Sequence, residues 1–417
     1  MINFNRFKLD NGLTVLVHED HTTAMAVVNI LYKVGARDES PEQTGFAHLF
    51  EHLMFGGSIN IPNYDAPLQS VGGENNAFTS NDITNYYVTL PANNLETAFW
   101  LESDRMLSLA FSEQSLEVQR QVVCEEFKQR YLNQPYGDVW LKLRPLAYKK
   151  HPYQWATIGK ELKHIEDATM EDVKAFFNKF YTPQNAIMVV AGDVTFEEVK
   201  SLSKKWFEDI PSGNSFLRNL PVEPKQQSAR QQWVEAEVPV DSIYIAFHGP
   251  ERLSPDYYAA DLISDILSRG SSSRLYRTLV KEQNLFSEVN AYLMGSIDTN
   301  LFVVEGKPLP HVSLQEAEQY IWKELYRMQE EKVEIEELQK VKNKIESTML
   351  FAELSILDKA MNLAFFEMLN QAEDYNQEVP RYTSVTAEMI QRVASEIFVK
   401  ENSSTLFYKS LEKEHVE

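Results

Sequence analysis

A nearly constant internal shift limits what this chain can fold into more than any other feature. Ala168-Thr-Met-Glu-Asp-Val-Lys-Ala-Phe-Phe reads as a capped helix and leads into Asn185-Ala-Ile-Met-Val-Val, a buried strand. The same succession returns at Val385-Thr-Ala-Glu-Met-Ile-Gln-Arg-Val-Ala and Asn402-Ser-Ser-Thr-Leu-Phe, each 217 positions later (385 − 168 and 402 − 185). Near the other end, Val28-Asn-Ile-Leu-Tyr is echoed by Ile243-Tyr-Ile-Ala-Phe, 215 positions on (243 − 28). Two similar domains are expected, and 417 residues is a suitable length for them. Residues 213–232 contain Gly213, Pro221 and Pro224 with few apolar side chains, and read as a linker. The expected division is therefore 1–212, linker 213–232, and 233–417.

Within the first half, apolar runs at Leu13–Val17 and Met25–Lys33 predict strands, and Asn75–Thr79 with Asn85–Leu90 predict a strand pair. Thr44–Phe55 changes to a helical period, and longer helices are predicted over Leu95–Leu109 and Glu113–Leu132. Strands and helices mix without a regular βαβ rhythm, so the expected fold class is α+β.

The predicted helix Thr44–Phe55 carries His48-Leu-Phe-Glu51-His52. Histidines at i and i+4 stack on one face and can reach a single metal ion. Glu51 lies on nearly the same face, where it can take a proton from a metal-bound water. Two imidazoles and one carboxylate suit zinc with one position left for solvent. The bland alternative is a solvated polar stripe. Phe46, Leu49, Phe50, Leu53 and Phe55 argue against it, because an unpaired polar cluster on a mostly buried helix is costly. The order His-x-x-Glu-His is the inverted zincin signature. Val122-Val-Cys-Glu125-Glu126-Phe is the strongest source of a third ligand, as its acidic pair shows no adjacent cation. Either glutamate could instead be an ordinary exposed helix residue, and Cys124 reads as a packed small hydrophobe.

With Lys+Arg 40 against Asp+Glu 61, the net charge is −21. That surplus disfavours nucleic acid and anionic membrane surfaces and favours cationic ligands such as basic peptides. The single cysteine excludes an internal disulfide. No apolar run approaches the roughly 18 residues of a membrane span, and Met1-Ile-Asn-Phe-Asn-Arg does not resemble a secretory signal. A cytoplasmic location is expected.

Further motifs occur in order along the chain: Leu9-Asp-Asn-Gly-Leu-Thr-Val, Gly45-Phe-Ala-His-Leu-Phe-Glu-His-Leu-Met-Phe-Gly-Gly, and Val71-Gly-Gly-Glu-Asn-Asn-Ala-Phe-Thr-Ser-Asn-Asp. Val123-Cys-Glu-Glu, Gln134-Pro-Tyr-Gly and His151-Pro-Tyr follow. This combination resembles the pitrilysin/insulinase family of inverted-zincin metallopeptidases, especially its branch with mitochondrial processing peptidase. The resemblance implies two homologous mixed α/β domains forming half of a clamshell. It also implies one Zn2+ per chain, held by His48, His52 and Glu126, with Glu51 as general base. A second family glutamate, seven residues before the ligand, is replaced here by Gln119.

Gly72–Thr79 resembles the family's substrate-binding edge strand, which implies peptide contacts at Asn76, Ala77, Phe78 and Thr79. The second copy is degenerate: Tyr257–Arg269 stands in place of the His48 helix, and no histidine occurs between His248 and His311. The family's Arg and Tyr, seven residues apart in that later domain, fall on Val280 and Ser287. A zinc-free paralogous subunit is therefore expected to supply that pair in a heterodimer. The activity implied is hydrolysis of peptides or short unfolded segments in an enclosed chamber. The alternative is a non-catalytic core subunit of the same fold.

Overall fold

The computed structural model describes residues 1–214 and 216–411. Its strands form two mixed sheets. In the first, β1 (Asn5–Lys8), β2 (Thr14–Glu19), β3 (Met25–Tyr32), β4 (Glu74–Thr79), β5 (Thr84–Pro91) and β6 (Ala186–Gly192) lie in the order β1-β2-β6-β3-β5-β4. In the second, β7 (Arg230–Ala236), β8 (Ser242–Gly249), β9 (Phe286–Leu293), β10 (Asn300–Pro308) and β11 (Ser403–Ser410) lie in the order β7-β11-β8-β10-β9.

Apart from the extra β1, the two orders are the same. Each sheet has one parallel pair at the same place, β2 with β6 and β7 with β11, and every other pairing is antiparallel. The starts of β3 and β8, and of β6 and β11, are both 217 residues apart (242 − 25 and 403 − 186). The expected duplication is thus built into the topology. The expected mix of strands and helices is also present, as two mixed α/β units.

Burial follows strand position. Central β6 and β8 are almost wholly buried and are read in sequence as continuous apolar runs. At the sheet edge, β4 alternates exposed and half-buried residues.

One compact unit comprises Met1–Lys128, Trp155–Leu220 and Met349–Glu378, and the other comprises Gln129–Gln154, Pro221–Thr348 and the chain from Val379. The sequence segments of the two units alternate because the sheet of each unit is covered by a helix from the other half of the sequence. Ala360, Leu363, Ala364 and Phe366, from the helix Ile356–Leu369, pack with Leu16, Val27, Leu31, Val189 and Ala191 of the first sheet. Reciprocally, Val139, Leu143 and Ala147 of the helix Val139–Ala147 pack with Tyr244, Ala246, Val303 and Leu406 of the second. These helices also start 217 residues apart (356 − 139). A straight division near 212 and 233 does not contain this exchange, and β7 begins at Arg230, inside the stretch read as a linker.

Candidate metal centre

The helix α1 (Phe46–Leu53) buries Phe46, Ala47, Leu49, Phe50 and Leu53. Phe50 stacks on Phe176 and Tyr181, with ring centroids 5.1 and 5.0 Å away. Tyr86 on β5 donates its hydroxyl to the Phe50 carbonyl at 3.2 Å, which fixes the helix on the sheet. This packing leaves His48, Glu51 and His52 on the face toward the helix Glu113–Phe127 and strand β4.

Glu113–Phe127 is capped by Ser112, which accepts from the Ser115 N–H, and it buries Leu116, Val123, Cys124 and Phe127. Glu126 lies beside that apolar face and turns toward α1. Its Oε2 is 3.7 Å from His48 Nε2 and 3.4 Å from His52 Nε2. The imidazole centroids are 4.9 Å apart with their planes at 83°. Ligand atoms of all three residues lie within 4.8 Å of one another. Direct N–H···O bonds are shorter, about 2.7–3.2 Å, whereas N and O ligands of a tetrahedral zinc sit about 3.4 Å apart along each edge. The donor set and its spacing therefore fit zinc.

Glu51 reaches the other way. Its carboxyl lies near Thr79 at the end of β4, whose hydroxyl donates to the Ala47 carbonyl at 3.5 Å. Burial pushes the Glu51 carboxyl above the ordinary glutamate value, while Thr79 and His52 pull it down.

The four residues named on β4 divide by face. Asn76 and Phe78 are exposed, whereas Ala77 and Thr79 are half-buried. Ala77 N–H bonds to the Asn76 side-chain oxygen at 2.8 Å, so this backbone donor is occupied by its own neighbour.

Of the two adjacent glutamates, only Glu126 joins the cluster. Glu125 points into solvent and pairs with Lys128 at 2.7 Å. This corrects the expectation that no cation neutralises the acidic pair: the partner stands at i+3, where helical geometry brings it alongside. Cys124 is buried and free, and burial raises its thiol pKa. The helix itself ends at Phe127 and continues as a π-helical turn, Lys128–Leu132. Gln119 is half-buried two turns before Glu126. In the second unit, Val280 lies in the π-helical turn Tyr276–Glu282, and the Ser287 hydroxyl on β9 donates to the Lys307 carbonyl.

Two supporting features escaped the sequence reading. Glu39 is buried and accepts from the Gly45 and Ala47 N–H groups at the start of α1. Arg105 is also buried, paired with Glu102 at 2.6 Å, and its guanidinium carbon lies 4.5 Å from the centre of the Tyr86 ring that supports α1. An acid and a base three residues apart at 102 and 105 could have suggested that pair; no comparable signal marks Glu39.

Two related mixed α/β units, with a histidine-glutamate cluster on the first, define a class of two-domain peptidases. Residues 14–159 match the insulinase domain of peptidase family M16, and residues 167–345 match the domain described as peptidase M16 inactive domain. Over 407 residues the chain is 31% identical to zinc protease PqqE of Helicobacter pylori, covering 96% of this chain and 91% of that protein. A probable mitochondrial-processing peptidase subunit beta of Schizosaccharomyces pombe is 27% identical over 309 residues, 70% of this chain and 67% of that one. The crystal structure of a protease from Helicobacter pylori is matched with a TM-score of 0.92 at 30% identity, over 98% of this chain and 100% of that chain. The chain belongs to the insulinase family, peptidase family M16. No helix among the described residues is long and apolar enough to cross a membrane.

Proposed function

We propose that this chain is a zinc-dependent endopeptidase acting on extended peptides and serving as the catalytic subunit of a heterodimer. The convergence of His48, His52 and Glu126 at metal-edge distances carries the reading. One Zn2+ held there would supply Lewis acidity and lower the pKa of a bound water. Glu51 is the general base, near Thr79 and placed between the two ligands in sequence. The peptide would lie along β4, accepting from the outward Ala77 N–H after displacing the Asn76 side chain, with Phe78 exposed beside it. The acidic net charge favours basic peptides.

The heterodimer rests on Val280 and Ser287, which offer neither guanidinium nor phenol where the family resemblance expects Arg and Tyr. A zinc-free paralogous subunit would provide them, and one relative is itself named as a subunit. A cytoplasmic setting completes the proposal and suits the free Cys124.

The test is metal content and cleavage of a mixed peptide library, by the chain alone and with the paralogous subunit, with and without chelator. Stoichiometric zinc and chelator-sensitive cleavage are expected, with strong activity only in the pair. A zinc-replete pair that cleaves nothing would favour the non-catalytic core subunit instead.

A further inference from the structure

α1 has an unusual start. Its N-cap is Gly45, which has no side chain to accept from the first-turn N–H groups. Nor can the position take one. Gly45 has φ +89°, and a Cβ there would meet the Ile158 carbonyl oxygen at 2.6 Å and Ile165 Cδ1 at 2.8 Å. The close approach that seats α1 has removed the ordinary means of capping it.

Glu39 fills that role from six residues upstream. One carboxylate oxygen accepts from the Gly45 N–H and the other from the Ala47 N–H, both at 2.9 Å, and the residue is 7% exposed. His48 is the next residue in the same turn. The loop carrying Glu39 is itself held from two sides. Ala36 N–H and Arg37 N–H donate to the Ser80 and Asn81 carbonyls just beyond β4, and Arg37 pairs with Asp82 at 3.0 Å. Trp155 donates its indole N–H to the Ala36 carbonyl at 2.9 Å. A single short segment thus ties the end of the edge strand to the first turn of the helix that bears two of the cluster's three donors.

We propose that Glu39 is a positioning residue of the metal centre: by capping α1 it holds the His48 ring in place relative to His52 and Glu126. Eight residues make a marginal helix on their own, and fraying of the first turn would move His48 while leaving His52, in the last turn, where it is. The inference rests on the proposed metal reading, and the experiment separates the two.

Glu39→Gln keeps the shape but turns an amide NH2 toward a backbone N–H, whereas Glu39→Asp keeps both oxygens on a shorter arm. Zinc affinity of the full chain is measured by competition with a chromophoric chelator, the visible spectrum is taken with Co2+ in place of zinc, and melting is followed without metal. Glu39→Gln is expected to weaken zinc binding by about tenfold or more, as loss of an outer support does elsewhere. It should also alter the Co2+ bands, with Glu39→Asp recovering part of both. A lower melting temperature with unchanged zinc affinity and Co2+ bands would make Glu39 a structural residue only and overturn the inference. Should Glu39→Gln fail to fold, Glu39→Asp decides alone: intermediate affinity supports the role, and wild-type affinity refutes it. A wild-type chain that binds neither metal would instead remove the metal reading, and this inference with it.

Discussion

Glu51→Gln separates chemistry from metal binding and from stability in one substitution. The amide occupies the same volume and replaces none of the three proposed ligands, so the zinc content should equal that of wild type. The lost function is proton transfer. A positioned general base is worth about 10²–10⁴ in rate, or roughly 3–5 kcal/mol on the barrier at 1.36 kcal/mol per tenfold. The fall should appear in kcat rather than KM, because in the proposed mode β4, and not Glu51, would hold the extended peptide.

Stability should move the opposite way. Burial raises this carboxyl above its unfolded value of 4.5. For a raised acid the folded state binds the proton more tightly, so the carboxyl favours folding most below the unfolded value, and that contribution is lost as pH rises through the folded value. Above the folded value the carboxyl therefore opposes folding of the metal-free chain, and the neutral amide should leave its melting temperature equal or higher. Metal analysis, steady-state cleavage in the presence of the paralogous subunit and metal-free thermal melting make the assay. A zinc-replete Glu51→Gln protein that cleaves within threefold of wild type would refute the base assignment. A metal-free variant markedly less stable than wild type would refute the electrostatic argument.

Ala77→Pro removes the edge-facing N–H of β4 while leaving the ladder to β5. KM for an extended peptide should rise about two- to tenfold, the worth of one hydrogen bond, and an unchanged KM would remove β4 from substrate binding. Lys359, on the exchanged helix, pairs with Asp20 at 2.7 Å and holds its carboxyl well below the usual range. A lowered folded pKa gives stability that is present above the unfolded value of 3.8 and lost as pH falls through the folded value. In denaturant unfolding, the deficit of Lys359→Met should thus be largest above about pH 4 and shrink in stronger acid; a deficit that grows with acid would contradict it. Residues 1–212 expressed alone should not melt cooperatively, since they lack Ala360, Leu363 and Ala364 over the first sheet. Mixing them with residues 213–417 should restore a cooperative transition, and a cooperative melt from 1–212 alone would count against the exchange as a folding requirement.

Much of this was legible in the sequence, for specific reasons. β3, β6 and α1 announce themselves because central strands and an amphipathic helix bury apolar residues at fixed periods. The repeat was visible because both copies conserve the spacing between a capped helix and a strand. The exchange of helices was not visible, since a helix presents the same apolar face whether it covers its own sheet or the other copy's. Helix phase separates Glu126 from Glu125: the first lies beside Val123 and Phe127, and the second projects beyond them to meet Lys128. Glu39 was hidden for another reason. Its partners are backbone N–H groups, which no side-chain pattern encodes.

Comparison of the two copies shows what stands in the second at the positions of the proposed centre. Positions 214 and 215 beyond His48 are Leu262 and Ile263, and those beyond His52 are Ile266 and Leu267, all fully buried in the helix Tyr257–Ser268. Each aliphatic side chain there contributes about 1.5–3 kcal/mol of burial, whereas the first copy places imidazoles that must find polar partners. Asp265, 214 beyond Glu51, remains acidic but is 1% exposed and spends its charge on Arg269 at 3.2 Å. Glu126 has no acidic counterpart either. The stretch 214–217 beyond Glu126 is Lys340-Val-Lys-Asn343, with two cations and no acid. Histidines placed at 262 and 266 would find no acid in the stretch equivalent to Glu126 and would forfeit two buried aliphatic side chains. The second copy keeps the strand order and the helix while aliphatic packing fills the positions of the histidine cluster, so the shared architecture does not depend on that cluster.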